Sequence, residues 1–223
     1  MKINAGDTAW VLVSTALVLF MTPGLALFYG GMVRAKNVLG MLMQNFFSMG
    51  LITVLWAVIG YSLAFGGHSP LIGNLDFAGL HRAVALAPPG LHLTIPPGLF
   101  MAYQMMFAVI TPALITGAIA DRMRFSAWAI FLGLWAILVY SPVAHWVFAP
   151  EGWLFKRGAL DFAGGTVVHI NAGVAALVLA VVLGRRRGWP SHPMRAHSLP
   201  LTLLGTGILW FGWFGFNAGS ALA

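Results

Sequence analysis

Long apolar runs broken by short polar or charged stretches set the pattern of this chain. No charged residue lies between Asp7 and Arg34, which predicts a first long helix over about Ala9–Val33. From Lys36 to Asp76 the only interruption is His68, and a second helix is expected over about Val38–Gly66. The stretch from His68 to about Pro97 differs. It is rich in Gly, Pro and His, carries Asp76 and Arg82, shows no sustained period, and reads as a long exposed loop. A third run covers about Pro97–Ala120, and Asp121–Arg124 forms a short charged turn. A fourth covers about Phe125–Phe148 and is followed by a loop, Ala149–Asp161, with Glu151, Lys156 and Arg157. The fifth runs over about Phe162–Gly184. Arg185–Ser198 is basic, polar and broken by prolines, and the last run covers about Leu199–Ala223. A membrane span needs about 20 residues at 1.5 Å each. The pattern therefore predicts six spans.

Composition sharpens this picture. Hydrophobic residues make up 60% of the 223 positions and charged residues 8%, against roughly a quarter charged in an ordinary soluble domain. A soluble enzyme of this size has no way to hide so much apolar surface. The absence of cysteine excludes a disulfide framework, a thiolate metal site and a cysteine nucleophile. The net charge of +7 hints at nucleic acid, but the cations are few and sit between apolar runs rather than in a patch. Their placement instead gives an orientation. Arg34, Lys36, Arg122, Arg124, Arg185, Arg186, Arg187 and Arg195 fall in alternate loops on one side, and Lys2, Arg82, Lys156 and Arg157 on the other. Eight against four puts the first group in the cytoplasm and both chain ends outside. The Arg185–Arg187 cluster reads mainly as this orientation signal, with contact to anionic lipid as an extension. The first run exceeds a signal-peptide core, Asp7 precedes it, and no clean small-x-small cleavage pattern comes before Arg34; it reads as an uncleaved helix.

The predicted helices are not plain anchors. Gly164, Gly165, Ala172, Gly173, Ala175 and Ala176 suit a tightly packed fifth span. Pro23 and Pro112 lie inside the first and third, where protein rather than lipid must face the gap. Gln44, Asn45, Ser48 and Thr53 suggest a polar seam along the second. His169 is the most informative residue, because an ionisable group deep in an apolar run is expensive and points to function. A neutral ring with one donor and one acceptor is expected there; the plain alternative is a histidine that only bonds across helices. Asp161 stands where the fifth span begins and reads first as a helix cap, with direct cation binding as the alternative. Trp10, Trp146, Trp153 and Trp210 fit an interfacial belt. Phe107 and the run Trp210–Phe216 are less easily dismissed, since rings separated by glycines suit a narrow passage and aromatic faces attract small cations. Ser220 offers a nearby hydroxyl acceptor. No metal motif stands out: His192 and His197 lie beside prolines, and His68, His81 and His92 are scattered, so all five read as solvated loop residues.

Three stretches together resemble a known family. Thr15–Gly31 with Arg34-Ala-Lys-Asn37, Gly158–Gly173, and Trp210–Ala221 are similar to the first span, signature stretch and sixth span of ammonium transporters (Amt/Mep/Rh), closest to the bacterial Amt branch. Ala120–Ser126 fits the family's third cytoplasmic-side turn. The resemblance covers the whole chain. It implies an all-α polytopic membrane protein with an inverted-repeat, eleven-helix fold. Residues 1–184 correspond to the first five-helix repeat, 185–198 to a cytoplasmic basic loop and 199–223 to the sixth transmembrane helix, so the chain covers the amino-terminal half. It also implies that Phe107 and Phe216 form the pore gate. Phe107, Phe148, Trp213 and Ser220 then form the outer substrate site, with Trp213 near the mouth. Asp161 organises that site, and His169 is the first of two pore histidines. Two positions depart from the family. Phe148 stands where Trp is usual and Tyr103 where Phe is familiar. A Phe face binds a cation less well than Trp, so weaker outer capture is expected.

The function so implied is ammonium transport rather than enzyme catalysis, in a bacterial inner membrane. Ammonium or ammonia, the lipid bilayer, a homotrimer when complete, and a cytoplasmic PII-type signalling protein are the expected partners. Nucleic acid, metal and cofactor are not. Two alternatives stand beside it: an ammonium sensor, and a fragment serving only as a structural membrane module.

Overall fold

Asn4 sets the start of the first helix. Its side chain accepts the backbone N–H groups of Gly6 at 2.8 Å and Asp7 at 3.2 Å, so α1 (Ala5–Met32) begins earlier than the apolar run alone indicates. The structure, a computed structural model, describes residues 2–223. Five further long helices follow: α2 (Ala35–Phe65), α3 (Pro97–Ile119), α4 (Phe125–Trp135, continuing through Ala136–Tyr140 to Ser141–Phe148), α5 (Gly165–Leu183) and α6 (Leu199–Ala221). All six are long and apolar enough to cross a membrane, as the pattern predicts, and no strand occurs among the described residues.

The helices are joined by polar contacts that the bilayer cannot supply. Asn45 of α2 donates to Thr116 of α3 at 3.1 Å, and Ser48 donates to the Val109 carbonyl at 3.0 Å, close to the break in the ladder at Pro112. The Trp128 indole of α4 donates to the Gln44 carbonyl at 3.2 Å. Helix α3 is the most buried of the six and forms the centre of the bundle. Against it, α1 runs along α6 through small residues. A Cβ on Gly205 would lie 2.3 Å from the Phe28 nitrogen and 2.5 Å from the Gly24 oxygen. Only hydrogen fits there, so the two backbones meet.

Outside, residues 66–96 are not simply an exposed loop. The segment lies across the helix ends and drives Phe77, Ala83, Leu93 and Ile95 into the core. Isolated apolar anchors without a period leave no sequence signature of burial. Inside, the charged turns meet as one clasp. The fully buried Asp121 carboxylate takes Arg34 at 3.1 Å and Arg186 at 3.8 Å, and it accepts from Asn37. Arg122 donates to the carbonyls of Gly184 and Ala118, near the ends of α5 and α3, where unpaired carbonyls and the helix dipoles favour a cation. His197 is exposed, as expected of a loop histidine, and its ring also approaches the Val33 carbonyl at 3.1 Å.

Candidate functional site

Two of the site helices are locally unwound where the candidate residues sit. Gly165–Ile170 and Phe214–Ala218 are π-helical turns, which widen a helix and recur at functional positions. The first carries His169 and the second Phe216.

Asp161 holds the first of these turns in place. One carboxylate oxygen accepts from Gly164 and Gly165 at 2.6 and 2.7 Å, and the other from Thr166 and Val167 at 2.8 and 3.0 Å. Four N–H groups that the helix leaves orphaned are thereby satisfied. The carboxylate has to reach across Phe162–Gly164, so α5 begins at Gly165 and not at Phe162. Gly164 makes the reach possible at φ 93°, a conformation that strains any side chain. With all four bonds directed at backbone, Asp161 is a cap at the outer cavity.

Phe107 and Phe216 stack at the centre of the site. Their centroids are 4.5 Å apart at 45°, and both rings are buried. On the outer side lies a cavity of about 150 Å³ that Phe107, Phe148, Tyr103, Gln104, Asp161 and Ser220 help to line. A water molecule's share of liquid is about 30 Å³, so a small cation fits there with part of its hydration. On the other side Phe216 borders an open apolar cleft of about 760 Å³, which also holds His169. The phenylalanine pair is the partition between the two spaces.

The hydroxyls above the partition have a defined arrangement. Ser220 Oγ donates to the Phe216 carbonyl at 2.8 Å, and Tyr103 Oη donates to the Gly215 carbonyl at 2.8 Å. The two oxygens lie 3.2 Å apart. With both protons directed at backbone, both oxygens keep lone pairs for an incoming N–H. Tyr103 also packs edge-on against Phe107 at 4.9 Å.

His169 opens onto the cleft, and no hydrogen bond to its ring occurs among the described residues. The ring is held by packing alone, with Trp213 stacked at 5.9 Å and 18° and Phe216 at 5.7 Å. Its donor and acceptor nitrogens therefore remain available. Trp213 is displaced from its expected place. It lines the cleft beside His169 and is absent from the outer cavity. The reason is helix direction: α6 runs outward, and Trp213 precedes Phe216 by three residues, about 4.5 Å deeper at 1.5 Å per residue.

Four contributors escape a reading by motif. Gln104 lines the cavity and is the one amide in its run, a signal that was present. Phe155 and Phe162 line it too, from a loop without pattern. His145 is fully buried, with its ring nitrogens 2.8 Å from the Ala64 carbonyl and 2.6 Å from the Ser69 carbonyl. It pins the start of the outer segment onto α4, three residues before Phe148. Its depth in an apolar run is the same signal that marks His169. Among the described residues no group of His, Cys, Asp and Glu could hold a metal ion.

Comparison with known proteins gives the family and the fold. The model of the Ammonium Transporter Family matches residues 9–223. An ammonium transporter of Mycobacterium tuberculosis (strain H37Rv) is 55% identical over 244 residues, covering 98% of this chain and 50% of that protein. An ammonium transporter of Bacillus subtilis (strain 168) is 55% identical over 218 residues, covering 97% and 53%. The crystal structure of Candida albicans Mep2 superimposes with a TM-score of 0.90 at 36% identity, covering 99% of this chain and 49% of that one. The chain thus spans about half the length of the curated relatives it matches. A multi-pass membrane protein with six apolar helices and an aromatic partition beside a histidine-lined cleft, it belongs to the ammonium transporter family.

Proposed function

We propose that this chain builds the outer entrance and one wall of a passage for ammonium across a membrane. The observation that carries the reading is the Phe107–Phe216 pair, which stands between a small cavity bearing two hydroxyl acceptors and a cleft bearing a free histidine. Ammonium is close in size to potassium, so a filter for charge and radius alone confuses them. Hydrogen bonding and an exchangeable proton separate the two. In the outer cavity the faces of Phe107 and Phe148 attract a cation with about 0.5–2 kcal/mol, and Ser220 and Tyr103 accept its N–H groups. Charge is costly to carry across about 30 Å of hydrocarbon, and release of a proton to water at the outer cavity leaves neutral ammonia and removes that cost. Ammonia then passes as the two phenylalanines part and bonds to His169, whose ring Trp213 supports.

In this reading residues 1–184 are the first repeat, 185–198 a cytoplasmic loop and 199–223 the start of the second repeat. The protein acts in a bacterial inner membrane as a homotrimer and not as an enzyme. A PII-type protein docks on the basic cytoplasmic face. Family membership and the bacterial relatives at 55% identity support the transport and membrane parts of this reading.

The test is uptake of labelled methylammonium into sealed vesicles by a protein that joins this half to a second one. Saturable uptake is expected, and its absence refutes the reading. The 223-residue chain by itself supplies one wall and is expected to give none. Replacing Phe148 by Trp is expected to lower the half-saturating concentration.

A further inference from the structure

One side chain touches both halves of the partition. Tyr103 precedes Phe107 by one turn of α3, which puts both on one face of that helix. Its ring packs edge-on against Phe107, at 4.9 Å and 72°. Its hydroxyl crosses to α6 and lies 2.8 Å from the Gly215 carbonyl and 3.1 Å from the Phe216 carbonyl. The residue is fully buried and has no room to swing away.

The backbone that carries Phe216 needs such a hold. Phe214–Ala218 is a π-turn, where the regular helical ladder is interrupted and buried carbonyls need partners elsewhere. Among the described residues, two side chains of other helices reach the carbonyls of this turn. Trp10 of α1 approaches Ala218 at 3.4 Å, longer than an ordinary hydrogen bond. Tyr103 supplies the short one. Ser220 also bonds to the Phe216 carbonyl, but it belongs to α6 and moves with it. The fold keeps space for the Tyr103 hydroxyl, since a Cβ on Gly219 would lie 2.8 Å from that oxygen.

We infer that Tyr103 is a positioning residue of the partition: its hydroxyl ties the Phe216 backbone to α3 and so limits how readily the two rings part. The inference rests on ammonia passing between those rings. Capture and positioning use different parts of one group. The oxygen lone pairs accept N–H from ammonium, whereas the phenolic proton holds the carbonyl.

Two readouts test this. The first needs only the 223-residue chain in lipid. Gly215-Phe216 is the one Gly-Phe step in the sequence, so isotope labels on glycine carbonyl carbons and phenylalanine nitrogens resolve the Gly215 carbonyl alone by magnetic resonance. Its signal should move upfield in Tyr103→Phe and return with para-aminophenylalanine at position 103, whose amine still donates. It should stay in place in Tyr61→Phe, which removes a buried hydroxyl that has no partner among the described residues. The second readout is methylammonium uptake by the joined two-half protein. Loss of one ordinary hydrogen bond shifts an opening equilibrium about fivefold, so Tyr103→Phe should raise the maximal rate up to about fivefold and also raise the half-saturating concentration. The aromatic amine is a poor acceptor, so para-aminophenylalanine should restore the maximal rate and leave the half-saturating concentration high. An unmoved Gly215 signal in Tyr103→Phe overturns the inference, as does an unchanged or lower maximal rate. No uptake by the unsubstituted joined protein would refute the passage itself, and a Gly215 signal that still moves would then leave Tyr103 a purely structural tie.

Discussion

Asp161, Tyr103 and His169 stand within one site and hold different kinds of bond. Asp161 accepts four backbone N–H groups, Tyr103 makes one good donor bond to a carbonyl, and the His169 ring makes none among the described residues. Their effects on stability should separate accordingly. Asp161→Ala should lower unfolding free energy by about 2 kcal/mol. Tyr103→Phe should lower it by about 1 kcal/mol, and His169→Ala should stay within about 0.5 kcal/mol. Thermal and denaturant unfolding in detergent measures all three, and a large loss in His169→Ala would make that residue structural. Much of this was legible beforehand. Position in an apolar run marks His169, and position at a helix start marks Asp161 as a cap. The Tyr103–Ser220 contact was not legible, because it joins residues 117 apart through the way α3 meets the unwound end of α6. His145 carried the same depth signal as His169 but sits in a stretch without a flanking motif. Its replacement by Ala should speed hydrogen exchange across residues 66–74 and leave α1 unchanged, as mass spectrometry of exchanged peptides would show.

At the scale of elements, apolar runs give the six helices because each must satisfy its backbone internally. The ends are harder to read. Asn4 moves the start of α1 outward and Asp161 moves the start of α5 inward, and both shifts follow from one side chain bonding to backbone. The π-turns leave no signature in the apolar pattern, since they change spacing by a single residue. The misplaced Trp213 follows from helix direction, which does not emerge from motif matching. The α1–α6 seam yields a sharp contrast between neighbouring glycines. At Gly205 a methyl group would strike backbone atoms of α1, whereas at Gly207 nothing lies within 4 Å. Gly205→Ala should therefore destabilise the chain by at least about 1–3 kcal/mol. Gly207→Ala should stabilise it by about 0.5–1 kcal/mol through helix propensity. Equal effects of the two substitutions in unfolding experiments would mean that the seam is not close-packed.

The whole molecule is unevenly covered. Helix α3 is enclosed, whereas α5 and α6 present apolar faces and the His169 cleft to the outside. Exposed residues such as Leu203, Phe211 and Phe214 make that surface continuous. Coverage of about half of each relative fits a wall that a second half completes, as expected where a transport site lies at a repeat interface. In the proposed function the wall conducts through His169 beneath the Phe107–Phe216 partition. The most direct test compares methylammonium uptake by the joined two-half protein and its His169→Ala variant, at equal amounts in vesicles and with matched unfolding temperatures. Saturable uptake that falls at least about tenfold in the variant is predicted, corresponding to about 1.4 kcal/mol. Uptake unchanged by the substitution would contradict it.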